Sequence, residues 1–131
     1  MGQQQLLLII LGVIIVGIAI AVGLSLFSAQ SIQSNKDAII NDLNNIAAQA
    51  YQYRIRPASM AGGAGSYTGF TIPTKMASNA NAAYTSTPSS TGDAVVFSAI
   101  SANNTANTVT AQIDTDGKFV QTGWTYTGDF Q

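Results

Sequence analysis

The chain has 131 residues and only eleven charges, five Lys or Arg and six acids, or 8% charged residues against about 25% in an ordinary soluble domain. All six acids are Asp; Cys, His and Glu are absent, and the net charge is -1. That excludes a basic field for nucleic acid, the Cys- and His-based metal and disulfide frameworks, and the commonest acid–base and nucleophilic groups. Neither an enzyme nor a cofactor is expected, and no nucleic-acid partner.

Residues 1–5 form a short polar N-terminus, Met1-Gly2-Gln3-Gln4-Gln5, and no ionisable side chain occurs before Lys36. Leu6 to Phe27 is a 22-residue apolar run, interrupted only by Gly12, Gly17, Gly23 and Ser25. Sixteen of its residues are Leu, Ile, Val or Phe, so no polar face exists at any helical period. A helix apolar all round belongs in a large core or in a membrane. At about 1.5 Å per residue it reaches roughly 33 Å, enough for a hydrocarbon layer of about 30 Å. Its nine Val and Ile residues favour strands in water. In lipid, a single span can pair its backbone only as a helix.

Three readings compete for this run. A cleaved secretory signal wants a basic n-region and about 7–15 apolar residues; the run is longer and its n-region is neutral. A plain membrane anchor usually carries flanking Lys or Arg and Trp/Tyr belts, which are missing. The third reading is a helix that leaves the membrane to pack against its own copies. Gly12, Gly17, Ala19, Ala21, Gly23 and Ser25 would permit the close approach such packing needs. The candidate packing residues are Leu6, Leu7, Ile10, Gly12, Val13, Ile14, Gly17, Ile18, Ala19, Ala21, Gly23, Leu24 and Phe27.

Residues 28–57 continue the helix in amphipathic form. Ile39, Leu43, Ile46, Ala50 and Tyr53 fall at steps of 4, 3, 4 and 3, one stripe suited to packing against a head. Ser34 with Asp37 resembles a capping box, where the chain could bend or restart. No proline intervenes, so one continuous helix is equally allowed, and Pro57 ends it. About 50 residues of helix would span roughly 75 Å, so its hydrophobic half must protrude from a small domain.

Residues 58–131 turn to Gly, Ser, Thr, Asn and Ala. Met60–Ser66 reads as a flexible loop on glycine content. Thr71–Met76 reads as one helical turn with Pro73 near its start, or as irregular chain. Strand signals follow at 83–87, 94–100, 108–113 and 119–126, with Asp116-Gly117 as a two-residue hairpin turn. One face, such as Val109, Ala111 and Ile113, can cover the helix stripe. The fold class is α+β: a long N-terminal helix packed on a 3–4-stranded antiparallel sheet.

This order of parts resembles a type IV pilin: a short leader ending in Gly2, an apolar helix directly after it, an amphipathic continuation and a small antiparallel sheet. The resemblance covers essentially the whole chain and implies cleavage by a prepilin peptidase between Gly2 and Gln3. It implies a precursor in the cytoplasmic membrane, then a homopolymer raised by pilus assembly machinery into an extracellular filament cored by the N-terminal helices. The chain departs from that pattern in three places. No Lys or Arg precedes Gly2, Leu7 would stand at the fifth mature position where the family usually has Glu, and stapling cysteines are missing. Gln3, Gln4 and Gln5 can supply neutral hydrogen bonds instead.

The remaining motifs read as structural. Asp114-Thr115-Asp116-Gly117 is like the start of a calcium loop, but Lys118 follows and a hairpin turn fits better. Asn103-Asn104-Thr105 matches the N-glycosylation pattern, and a polar turn explains it equally. Arg54 and Arg56 are expected to pair with Asp or with helix C-terminal carbonyls. Eight of the eleven aromatics lie beyond Pro57, which speaks against a conducting fibre. The expected function is a structural filament subunit; the alternative is a monomeric membrane-anchored domain that binds a ligand or partner through its head.

Overall fold

The computed structural model describes residues 2–131. One helix, α1, runs from Gly2 to Ile55, and four strands follow: β1 (Ala82–Pro88), β2 (Val95–Ser101), β3 (Thr108–Ile113) and β4 (Thr125–Tyr126). The strands pair antiparallel in the order β1-β2-β3-β4. The fold is therefore α+β, as the pattern of elements implied. The chain divides between Gln33 and Ser34 into two compact units.

The first unit is helical and bare. Every residue from Gly2 to Ser31 is exposed, because an isolated helix has nothing of its own to bury against. The second unit, from Ser34 to Gln131, is the head. α1 continues through Ser34 and Asp37, so the helix does not restart there. No Gly or Pro lies between Leu24 and Ile55, and the Ser, Asn and Gln there cost only a few tenths of a kcal/mol each.

The helix stripe is the core. Ile39, Leu43, Ile46 and Ala50 are at most 1% exposed, and Ala47 joins them. Tyr53, at the end of the stripe, is only half-buried. Alternation along each strand supplies the facing residues: Ala82 and Tyr84; Val95, Phe97 and Ala99; Val109, Ala111 and Ile113, all buried. Register sets Ala99 between Tyr84 and Val109, so the large phenol ring lies beside the smallest apolar side chain. Tyr67, Phe70 and Phe130 close the core from loops and the C-terminal turn.

Four details correct the sequence expectations or decide between them. Residues 119–126 do not form one strand: Phe119 makes a lone bridge to Ile113, and a 3-10 turn at Gln121–Gly123 interrupts before β4. A Cβ at Gly123 would lie 2.8 Å from that of Gln112, so the chain crosses β3 too closely there to continue as a paired strand. Asp116-Gly117 is not a two-residue turn. The Gly117 N–H donates to the Asp114 carbonyl at 3.1 Å, which puts Thr115 and Asp116 at the centre. Gly117 takes the left-handed position after them (φ 78°), while Asp116 is not left-handed, as a mirror-image two-residue turn would need. Thr71–Met76 forms a turn closed by the Met76 N–H on the Pro73 carbonyl at 2.8 Å, short of a helix.

The fourth difference is the glycine-rich loop, which is a cap. A helix end leaves its last carbonyls without partners. Here Gly63 donates to the Tyr53 carbonyl at 2.7 Å, Gly65 to that of Arg54 at 2.6 Å and Ala64 to that of Arg56 at 3.0 Å. The loop lies so close that a Cβ at Gly63 would overlap the Ser66 carbonyl oxygen and sit 2.9 Å from Tyr53 Cε1. Glycine serves here for close approach, not for mobility. Among the described residues neither arginine side chain makes the expected pairing with Asp or with those carbonyls, which take this cap instead. The Arg54 guanidinium instead lies 5.7 Å from the centre of the Tyr67 ring, and its buried Nε has no hydrogen-bond partner among the described residues.

Candidate functional site

The largest chemical feature of the chain is the outer surface of residues 6–27. Each of its Leu, Ile, Val and Phe side chains is 53–74% exposed, near the limit for a side chain on a helix. Gly12, Gly17 and Gly23 have open space where a Cβ would stand, so they are notches in an apolar cylinder. Leu6, Leu7, Ile10, Val13, Ile14, Ile18, Ala19, Ala21, Leu24 and Phe27 surround those notches, all exposed. The helix is long and apolar enough to cross a membrane. Gly2 and Gln3, the pair at the expected cleavage bond, lie exposed in its first turn.

The head is held by polar contacts around Asp42 and Asn35 that its sequence pattern did not reveal. Asp42 Oδ2 accepts from the Tyr84 hydroxyl at 2.5 Å, from Asn79 Nδ2 at 2.8 Å and from Asn81 Nδ2 at 3.3 Å. Burial raises the Asp42 pKa, but the three donors more than offset that and hold it below the ordinary 3.8. Tyr84 moves up, first by burial and then because its proton is shared with the Asp42 carboxylate. Asn35 bridges two elements: its Oδ1 accepts from Ser101 Oγ at 2.7 Å, and its Nδ2 donates to the Asn81 carbonyl at 3.3 Å. That bond is what satisfies Ser101, the fully buried hydroxyl on the inner sheet face. One signal was available: Asn35 and Asp42 are seven apart, two helical turns, and so share a face.

Tyr53 ends the stripe by donating its hydroxyl to the Thr68 carbonyl at 2.9 Å, with its ring 5.6 Å from that of Phe70. The hairpin tip is no calcium loop in form: Asp114 Oδ1 accepts the N–H groups of Asp116 at 2.9 Å and Lys118 at 3.0 Å, capping the turn. Asn103 stands exposed in the turn between β2 and β3, its N–H on Ser101 Oγ at 3.2 Å. At the sheet edge, Lys36 Nζ lies 4.1 Å from the centre of the Tyr126 ring. Trp124 lies 6.1 Å from Tyr126, and Phe119 lies 4.8 Å from Trp124. The aromatics of the head are thus spent on packing.

Set against protein-family models, curated proteins and solved structures, the chain matches none. Its two units differ in surface chemistry: the helix is exposed from Gly2 to Ser31, and the head buries a core of its own.

Proposed function

We propose that the protein is a structural subunit that polymerises through residues 6–27 into an extracellular, type IV pilus-like filament. One observation carries the reading. Sixteen large apolar side chains stand exposed around a helix with no polar face, and water penalises such surface at about 25 cal/mol per Å². Lipid can cover it, and so can copies of the same helix. Transfer between the two changes little hydrophobic free energy, so close packing must decide. The notches at Gly12, Gly17 and Gly23 favour that packing.

In this reading the precursor sits in the cytoplasmic membrane, a prepilin peptidase cuts between Gly2 and Gln3, and assembly machinery draws the subunit into the filament. The uncharged Ser, Thr and Asn surface of the head faces solvent.

Gly17→Arg tests the core. It places a charge in the middle of the helix, so surface filaments recovered by shearing are expected to disappear while the precursor is still made. Filaments at normal yield would refute the reading. The competing anchor reading predicts detergent-soluble monomers and no fibres by negative stain in the unmutated protein. Processing is read separately, from the N-terminal residue of purified filaments, expected to be Gln3.

A further inference from the structure

The head carries a cleft of about 170 Å³ lined by Gln49, Tyr53, Arg56, Gly69, Phe70, Thr71 and Pro73. We propose that it binds a carboxylate-bearing sugar residue, of the uronic acid class. Gln49 and Tyr53 are four apart on the last two turns of α1, so they share a face; Arg56, the first residue beyond its end, still donates its N–H to the Gln52 carbonyl at 3.1 Å and so follows the same winding. Opposite them, Gly69–Thr71 and Pro73 form the other wall. Tyr53 holds that wall by its hydroxyl on the Thr68 carbonyl, 2.9 Å away. Gly69 leaves room for this contact: a Cβ there would meet the same hydroxyl at 3.1 Å.

The chemistry of the lining selects the ligand. Among the described residues, the side chains of Gln49, Arg56 and Thr71 make no hydrogen bond, and Arg56 has no ion-pair partner. A planar guanidinium in that state suits a carboxylate taken through two parallel bonds. The Gln49 amide and the Thr71 hydroxyl donate and accept, as ring hydroxyls require. Half-buried Tyr53 and exposed Pro73 supply an apolar patch for the C–H face of a ring, while Phe70 belongs to the core. The volume is well below the roughly 300–1,000 Å³ of drug-sized sites and suits a single ring. An aspartate from a neighbouring protein would engage Arg56 alone and leave the amide and hydroxyl idle.

The test is titration of the full chain in detergent with sodium glucuronate, glucose and sodium acetate, read by isothermal calorimetry. Glucuronate is expected to bind in the millimolar range, as a small polar ligand does, and at least ten-fold more tightly than glucose or acetate. Arg56→Gln is expected to remove that preference, and Arg56→Lys to restore only part of it. Thr71→Val keeps the charge and is expected to weaken glucuronate while leaving acetate unchanged. Near-UV circular dichroism verifies that each variant is folded. Equal binding of acetate and glucuronate, or glucuronate binding unchanged in Arg56→Gln, would overturn the proposal. So would loss of filaments in folded Arg56→Gln without any glucuronate binding by the parent, since the partner of Arg56 would then be another subunit.

Discussion

Gly63→Ala isolates the helix cap. Gly63 is not in the left-handed region, so alanine brings no backbone strain of its own. What it brings is a methyl group overlapping the Ser66 carbonyl oxygen. That clash lies within the loop, and the same methyl would sit 2.9 Å from Tyr53 Cε1; relieving both reshapes the loop at the helix end, which threatens three bonds: Gly63 to Tyr53, Ala64 to Arg56 and Gly65 to Arg54. At about 0.5–1.5 kcal/mol each, losing them costs roughly 1.5–4.5 kcal/mol. Gly65→Ala is the control. Gly65 has open space around a Cβ but a φ of 94°, so only the conformational penalty applies, about 1–2 kcal/mol. The assay is thermal unfolding of the full chain in detergent, followed by near-UV circular dichroism so that the helix of residues 2–33 does not mask the head. For a domain of this size each kcal/mol shifts Tm by about 4–8 °C. Gly63→Ala should therefore melt at least about 6 °C lower, and Gly65→Ala about 4–16 °C lower through backbone conformation alone. A Gly63→Ala melt within about 2 °C of the parent would refute the capping argument.

Two further predictions use the same melt. The Asp42 carboxyl titrates below its ordinary 3.8 in the folded head, so its stabilisation is complete above that value and fades as pH falls through the lower, folded one. Asp42→Asn should reduce the loss of Tm between pH 5 and 2; Asp42→Ala, which deprives the Tyr84 hydroxyl of its acceptor, should cost about 1.5–3 kcal/mol at pH 7. An unchanged acid slope in Asp42→Asn would show that the three-donor contact is not what responds to acid. Leu43→Ala, at a site with no exposure, should cost about 2–5 kcal/mol by leaving a cavity. Val96→Ala, on the outer sheet face at 37% exposure, should cost far less, and equal losses would mean that the helix stripe is not the centre of the core.

What the sequence made legible was periodicity. The stripe from Ile39 to Ala50 and the alternation of Val109, Ala111 and Ile113 are local patterns with a period, and burial follows them directly. The bounds of β1, β2 and β3 came within a residue because Asn, Gly and Asp punctuate them. What stayed hidden depends on close approach between distant segments. Nothing in Met60–Ser66 announces that its N–H groups face the carbonyls of residues 53–56, because a cap is defined by two pieces of chain. Residues 119–126 alternate well enough to read as a strand, yet the crowding of Gly123 on Gln112 breaks the pairing. The cleft at Arg56 was invisible for the same reason, since its second wall arrives from Gly69–Pro73.

The polar contacts of the head bear on the absent glutamate. Ser101 is matched by Asn35, Asn107 by Asp129, and Thr108 by Thr127. None of these contacts pairs two charges: Ser101 meets an amide, Thr108 a hydroxyl and Asn107 a single carboxylate, which avoids the desolvation cost of an ion pair. The same economy extends into the filament proposed above. A carboxylate near the start of the apolar helix would register subunits through a strong bond, about 1.5–3 kcal/mol against about 0.5–1.5 for a neutral one. It would also have to stay charged, or take up a proton, beside lipid before assembly. With Leu7 and three neutral glutamines in that region, the helix carries no side-chain charge through either environment. In such a filament, register would rest on many weak contacts: hydrogen bonds from the Gln3–Gln5 side-chain amides and steric fit at Gly12, Gly17 and Gly23. A single amide could be lost with little effect, whereas filling a notch would disturb every helix that packs against it.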